Sequence, residues 1–364
     1  MDEDALTNDW QTLAAYLPPD LESSARAHRF VRRTTGRHDA QMWLRLILMH
    51  AAGGLSLLQT VTRARARRWA NVSAVALHKR LRTAGPWLQA LTSHLVGAQR
   101  RVLNGMPAIK GKVLRIVDAT DIQEPGSTGT DWRLHYSLRL PDLACDHFEL
   151  TDTHGGEQLG RFAFHPGEVV LADRGYCHRA GVAQVLDAGA DVVVRLVPAG
   201  FPLQDAKGRN FDVLAKCAGL KIGQQREWQV WFEHGGWLRP LRLCVLRKSQ
   251  SATEEARRKL RQKASRKGQE LQEQTLQNAA YVMILASLPA AEWRTHQVLE
   301  LYRSRWQIEL AFKRLKSLLH AGHVPKSSDP SARAWLQAKV LTALLIESLL
   351  CDSRSFSPYS GRVG

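Results

Sequence analysis

Three carboxylates stand out in the sequence because of the residues around them. Asp118 ends the apolar run VLRIV, Asp173 ends the apolar run EVVLA, and Glu309 lies in a segment rich in arginine and lysine. A carboxylate at the end of a buried strand lies where open α/β sheets place their sites. Ion pairing with Arg305 or Lys313 would explain Glu309 alone, but it would not explain two aspartates at strand ends.

A hard divalent cation would account for all three carboxylates. Mg²⁺ prefers oxygen ligands, usually a few carboxylates together with waters and substrate phosphate. Two such ions can hold the attacking and the leaving oxygen of an in-line phosphoryl transfer. We therefore expect two Mg²⁺ ions, with Mn²⁺ as a substitute, held by Asp118, Asp173 and Glu309.

The segment around Glu309 predicts one long amphipathic helix that ends at Gly322. Tyr302, Arg305, Glu309 and Lys316 follow one another at offsets of 3, 4 and 7, so this helix would carry all four on one face. That face would present an acid for a metal ion, two cations for phosphates and an aromatic hydroxyl. The same spacing also arises by chance in amphipathic helices.

The overall charge favours a polyanionic partner. The chain has 51 lysines and arginines against 34 acids, a formal net charge of +17, which most often indicates nucleic acid binding. The hydrophobic fraction of 44% excludes a disordered basic tail protein. Five scattered cysteines without a C-x-x-C pair argue against a thiolate zinc site and a disulfide framework. With neither a secretory signal nor a long apolar run, we expect a soluble cytoplasmic protein.

Residues 1–105 predict helices with a DNA-binding pattern. The stretch SLLQTVTRARARRWANVSAVALHKRLRT predicts a helix, a short turn, a cap at Ser73 and a second, basic helix. This is a helix-turn-helix pattern, and Lys79, Arg80 and Arg82 on its second helix are the expected DNA contacts. An ordinary helical hairpin with solvated charges is the alternative.

The remainder of the chain predicts an α/β fold in several segments. Short runs rich in Val, Ile and Leu alternate with turns and one helical run, which indicates a layered structure around a buried sheet. The expected order is a helical DNA-binding domain at 1–105, the first part of a catalytic core at 106–197, a β-rich insertion with a basic helix at 198–290, the helical end of the core with the glutamate at 291–350, and a loose tail at 351–364.

The segment LYRSRWQIELAFKRLK resembles the Y-x2-R-x3-E-x6-K signature of bacterial insertion-sequence transposases, specifically family four of the DDE group. The signature is complete here as Tyr302, Arg305, Glu309 and Lys316. VLRIVDATDI with the downstream WRLHY, and VVLADRGY, are similar to the blocks around that family's first and second catalytic aspartates. The likeness covers most of the chain, from about residue 57 to residue 316.

This resemblance implies an RNase H-like catalytic core with a β-rich insertion, preceded by an all-helical DNA-binding domain. It implies that Asp118, Asp173 and Glu309 form the catalytic, metal-binding triad. It also places Arg195 where members of the family use an arginine to hold DNA near the cleaved end. Tyr281 falls where relatives have a tryptophan that stacks on a flipped base, although a buried strand tyrosine is an equal alternative.

The function implied by the resemblance is DNA transposition by metal-dependent cleavage and strand transfer at transposon ends. Tyr302, Arg305 and Lys316 would grip phosphates at the cleaved end. The expected partners are double-stranded DNA with terminal inverted repeats, target DNA and a second copy of the chain in a synaptic complex, in the bacterial nucleoid. Two alternatives are a truncated, non-catalytic DNA-binding regulator of transposition and a metal-dependent nuclease without strand transfer.

Overall fold

The structure is a computed structural model, and it describes residues 10–31, 39–103, 109–124, 126–127, 129, 131–140, 144–266, 268–318, 324 and 329–355. Part of the predicted tail, residues 356–364, and the predicted helix end at Gly322 lie outside these residues. Residues 351–355 belong to a helix, so the predicted start of a loose tail at residue 351 is wrong. In the described part of the chain, no helix has the length and apolarity that a membrane span needs.

The described residues of the N-terminal region, 10–31 and 39–103, contain a series of helices. Its named helices are α1 (Leu21–Ala27), α2 (Ala40–Ala52), α3 (Leu57–Ala66), α4 (Ala74–Thr83) and α5 (Gly85–Leu103). The side chains of Asp39, Ser56 and Ser73 accept hydrogen bonds from backbone N–H groups in the first turns of α2, α3 and α4. The expected cap at Ser73 is therefore confirmed.

One eight-stranded sheet forms the centre of the molecule. Its strands are β1 (Val113–Ile122), β2 (Trp132–Leu140), β3 (Ala144–Asp152), β4 (Glu168–Ala172), β5 (Asp191–Arg195), β6 (Gln225–His234), β7 (Trp237–Arg247) and β8 (Tyr281–Ala286). They lie side by side in the order β3-β2-β1-β4-β5-β8-β7-β6. The pairs β1–β4 and β4–β5 are parallel, and all other pairs are antiparallel.

The strands of the predicted insertion extend this same sheet. β8 pairs with β5, and β7 and β6 follow it outwards. The hairpin between β6 and β7 turns at Gly235 and Gly236, whose φ angles of 62° and 79° are in the left-handed region that glycine adopts without a Cβ clash. The two glycines therefore let the chain reverse direction between β6 and β7.

Helices cover both faces of the sheet. The remaining helices are α6 (Arg179–Asp187), α7 (Val213–Cys217), α8 (Gln250–Arg266), α9 (Glu273–Asn278), α10 (Thr295–Arg303), α11 (Trp306–Leu318) and α12 (Asp329–Ser355). One apolar core joins a face of the sheet to α10, α11, α12 and the N-terminal helices, and a second core lies between the other face and α6. Helix α12 packs on α2, α4 and α5, so the two ends of the chain share one core.

Candidate active site

The register of two parallel strands brings Asp118 and Asp173 together. The last paired residues of β1 and β4 are Val117 and Ala172, so the next residue of each strand is an aspartate. The sequence placed both acids at strand ends, but β1 continues past Asp118 to Ile122. It continues because β2 pairs with this part of the strand, with Tyr136 opposite Asp118.

The predicted long helix around Glu309 is two helices. α10 ends at Arg303 and α11 begins at Trp306, so the prediction of one continuous helix to Gly322 is wrong. The Ser304 hydroxyl donates to the Leu301 carbonyl at 2.6 Å, and the Arg305 N–H donates to the Tyr302 carbonyl at 3.1 Å. These contacts tighten the chain into a turn and end the first helix.

The turn carries two signature side chains to the acids. The Tyr302 hydroxyl donates to Asp173 Oδ1 at 3.1 Å. The Arg305 guanidinium donates through Nη1 to Asp118 Oδ2 at 3.0 Å and through Nη2 to Glu309 Oε1 at 2.7 Å. One guanidinium therefore bridges the first aspartate and the glutamate. The structure brings five side chains together here: Asp118, Asp173, Glu309, Tyr302 and Arg305.

Burial and neighbouring charges set the electrostatics of this cluster. Burial raises the pKa of Asp118 to about 6, and the negative charges of Asp173 and Glu157 act in the same direction. The Ala119 N–H and the Arg305 guanidinium oppose this rise. Burial alone would lower the pKa of Arg305, but its neighbours Tyr302, Glu309, Asp173 and Asp118 raise it above its usual value. Burial beside Asp173 raises the pKa of Tyr302.

A fourth carboxylate, Glu157, lies next to the two aspartates. Burial, together with the charges of Asp121 and Asp173, raises its pKa. Its Oε2 lies so close to the backbone of Gly175 that a Cβ there would be 1.9 Å away, so a side chain at this position would displace the Glu157 carboxylate. The sequence has no pattern around Glu157 that separates it from surface acids.

Lys316 of the signature and Arg195 of β5 differ in their surroundings. Lys316 is exposed on α11, beyond the contacts that join the carboxylates. Arg195, at the end of β5, lies close enough to lower the pKa of Tyr302 by its charge. Arg195 therefore lies near the candidate site.

Tyr281 does not offer a free stacking face. Its side chain is buried at the start of β8, its hydroxyl donates to the Cys217 carbonyl at 3.1 Å, and the Arg247 guanidinium lies 4.7 Å from the ring centre. The buried-strand alternative describes this residue. Trp306, the residue after Arg305 in the sequence, has a side chain that is 50% exposed, and the sequence analysis did not single it out.

The chemistry of the site suits a pair of divalent cations. In the described residues, no group of three or more His, Cys, Asp or Glu side chains could hold one ion. A pair of ions about 4 Å apart divides the ligands, so that no single ion needs all three acids. Asp118, Asp173 and Glu309 supply the hard oxygen donors that such ions prefer. Holding ions there requires Arg305 to leave the space between Asp118 and Glu309.

The second helix of the predicted helix-turn-helix is present as α4, but only two of its three expected DNA contacts face solvent. Lys79 and Arg82 are exposed. Arg80 instead donates to the Phe30 carbonyl at 2.6 Å, and its guanidinium lies 5.4 Å from the centre of the Trp43 ring. Because this side chain ties α4 to neighbouring segments, we expect Lys79 and Arg82 rather than Arg80 to contact DNA.

The comparisons with known proteins identify a family. Residues 149–346, more than half of the chain, match the family described as Transposase DDE domain, and this match contains Asp173 and Glu309. The InsL transposase of insertion sequence element IS186A from Escherichia coli strain K12 is 36% identical over 361 residues, which cover 97% of each chain. The transposase for insertion sequence element IS421 from Escherichia coli is also 36% identical, over 362 residues and 97% of each chain.

Among solved structures, the synaptic complex of piggyBac transposase with hairpin DNA matches with a TM-score of 0.49 and 10% sequence identity. That match covers 96% of this chain and 77% of the other. The family match and the two relatives confirm the function expected from the signature, DNA transposition by cleavage and strand transfer. This chain belongs to the insertion-sequence transposases with a DDE domain.

Proposed function

We propose that this transposase cuts and joins DNA by metal-dependent phosphodiester chemistry at Asp118, Asp173 and Glu309. The observation that carries the proposal is the Arg305 guanidinium, which links Asp118 to Glu309 across the site. Two carboxylates from separate elements that share one cation lie close enough to share a pair of metal ions. Transposases of the DDE group generally use divalent metal ions, and we propose two Mg²⁺ ions here, replaceable by Mn²⁺.

The side chains of this site hold the acids and the DNA. Two divalent cations would activate the attacking oxygen and stabilise the leaving one. Tyr302 holds the Asp173 carboxylate in position through its hydroxyl. Arg305 pairs with Asp118 and Glu309 in this structure, and its guanidinium fork is also suited to a DNA phosphate.

The DNA would lie across the edge of the sheet at which Asp118 and Asp173 stand. Arg195 on one side and the exposed Lys316 on the other supply cations for phosphates. Trp306 presents an exposed indole beside Arg305, and a base lifted out of the duplex would stack on it. Trp306 takes the stacking role for which Tyr281 is too deeply buried.

We also propose a domain plan that follows the sheet. The order β3-β2-β1-β4-β5, with β2 antiparallel to both of its neighbours and β4 and β5 parallel to β1, supports an RNase H-like core in 106–197 and 291–350. Residues 198–290 would form its β-rich insertion. Residues 1–105 would bind the terminal inverted repeats. As the resemblance implies, a second copy of the chain would join in a synaptic complex that then receives target DNA.

The test is a cleavage and joining assay with the full chain. A labelled duplex copied from the DNA that flanks the gene, and therefore carrying the element's end, is incubated with Mg²⁺, with Mn²⁺ or with EDTA. Nicking at the element end that needs the divalent ion supports metal-dependent cleavage. Joining of the released end to a plasmid target separates a transposase from a nuclease that only cuts.

The matched control for the acids is Asp121→Asn. Asp121 lies on β1 three residues after Asp118, its side chain is 53% exposed, and it pairs with Arg133. Asp118→Asn should remove cleavage while Asp121→Asn keeps it. Equal activity of these two variants would contradict the assignment of Asp118 to the metal site.

A further inference from the structure

The exposed face of α4 has a composition that the folding of the protein does not explain. Leu77 and Leu81 are fully buried on the inner side of α4, and Arg80 is held by the Phe30 carbonyl. The outer side carries Val75, His78, Lys79 and Arg82, which are all exposed. The last three have offsets of 3, 4 and 7 from Val75, so the four residues form one stripe along the helix.

The charge around this stripe has one sign. No aspartate or glutamate stands between Asp39 and Asp118, a stretch that contains all of α2 to α5. Arg63, Arg65 and Arg68, on and after the neighbouring helix α3, are also exposed. A stretch of chain that supplies several exposed cations and no acid is complementary to a polyanion, and this observation selects duplex DNA over a second copy of this basic chain as the occupant.

Val75 is the apolar member of the stripe. It is 63% exposed in the first turn of α4, although a β-branched apolar side chain neither favours a helix nor gains from contact with water. In helix-turn-helix proteins, the residues near the start of the second helix contact base edges in the major groove. The thymine C5-methyl is the apolar group displayed there, and small apolar side chains contact it.

We propose that the outer stripe of α4 reads the sequence of the transposon end, with Val75 contacting a thymine methyl and His78 a neighbouring base edge. Lys79 and Arg82, further along the stripe, hold phosphates and give affinity without sequence preference. This inference rests on the proposed binding of the terminal repeats by residues 1–105. It deepens that function because it assigns base reading and phosphate contact to separate residues.

The test removes the methyl groups on either side of the proposed contact: the thymine methyl of the DNA, by replacement with uracil, or the methyl groups of Val75, by replacement with Ala. Three duplexes are compared in a binding titration with the full chain: the element's end, the same end with every thymine replaced by uracil, and a scrambled sequence of equal composition. Wild type should bind the uracil end more weakly than the thymine end, by about fourfold for each thymine methyl that the protein touches. Val75→Ala should bind the thymine and uracil ends about equally.

Leu58→Ala is the matched control, because Leu58 is an apolar residue of α3 with 67% exposure and lies outside the stripe. This variant should keep the wild-type preference for thymine. A second result is that the wild-type protein prefers the element's end over the scrambled duplex and yet binds the thymine and uracil ends equally. That result would overturn the role of Val75 and leave end recognition intact. Wild type that binds all three duplexes equally overturns end recognition itself.

Discussion

The active-site cluster and the outer face of α4 handle charge in opposite ways. In the cluster, every carboxylate of the predicted triad has a partner, since Arg305 serves Asp118 and Glu309 and Tyr302 serves Asp173. On α4, the exposed cations lie in a stretch of chain that contains no acid. A site that performs chemistry fixes its groups against one another, whereas a surface that binds a polyanion leaves its charges for the partner.

The largest expected difference between the two regions comes from substitutions in the triad, which should affect cleavage and not DNA binding. Asp118→Asn, Asp173→Asn and Glu309→Gln each remove one negative charge with little change in shape, so each should lower the cleavage rate by roughly three orders of magnitude. Binding of end DNA should persist in all three, because α4 is unchanged. Single-turnover nicking measures the rate and a gel-shift titration measures the binding. If a variant loses DNA binding together with cleavage, the active-site cluster and α4 do not have the separate roles that we propose.

The raised pKa of Asp118 predicts a stability that depends on pH. Its folded-state pKa of about 6 lies above the ordinary value of 3.8, so the folded protein binds this proton more tightly than the unfolded chain does. The free energy of unfolding should therefore fall as the pH rises from about 4 to 6, by roughly 3 kcal/mol from this group. Asp118→Asn lacks the titrating group and should escape this fall.

Urea unfolding of wild type and Asp118→Asn in EDTA, at pH 4 and at pH 7, measures this difference. We expect the variant to gain stability relative to wild type between the two pH values. Asp121→Asn, which removes an acid from the same strand at a more exposed position, is the control. If the difference in free energy of unfolding between wild type and Asp118→Asn is the same at both pH values, protonation of Asp118 is not coupled to folding as predicted.

Substitution of Arg305 should have a smaller effect on the cleavage rate. Arg305→Lys keeps the charge but loses the fork that reaches Asp118 and Glu309 at once. Once metal ions occupy the space between the acids, this fork would bind a DNA phosphate, and the loss of one charge-assisted hydrogen bond to it should slow cleavage by about ten- to a hundredfold. Arg303→Lys makes the same change at an exposed position at the end of α10 and should cleave at the wild-type rate. Arg305→Lys with full activity would show that the guanidinium fork has no part in the reaction.

The sequence predicts the positions of the acids better than it predicts the turn and the contacts around them. Asp118 and Asp173 were identified because each follows an apolar run, and the parallel register then places them side by side. The break at Ser304 was missed because the apolar spacing continues through it, and only the hydroxyl contact with the Leu301 carbonyl ends the helix. The bridge made by Arg305 depends on that turn, so helical spacing alone could not predict it.

Exposure within a helix is equally hard to predict from its charges. Lys79, Arg80 and Arg82 are alike in the sequence, yet Arg80 is drawn inwards by a carbonyl from a segment fifty residues away. Such a contact depends on tertiary packing, which periodicity does not encode. For the same reason, Trp306 is apolar by type but exposed by position.

The smallest expected effects separate the cations of α4 from one another. Lys79→Ala and Arg82→Ala each remove an exposed cation, so each should weaken binding of end DNA and reduce the slope of log affinity against log salt by about 0.9. Arg80→Ala should leave the salt slope unchanged and lower the free energy of unfolding by about 1–3 kcal/mol, because the buried Phe30 carbonyl loses its donor. Gel shifts at several salt concentrations measure the slope, and urea unfolding measures the stability. If Arg80→Ala reduces the salt slope as much as Lys79→Ala does, Arg80 reaches DNA after all, and the division of α4 into an inner and an outer side fails.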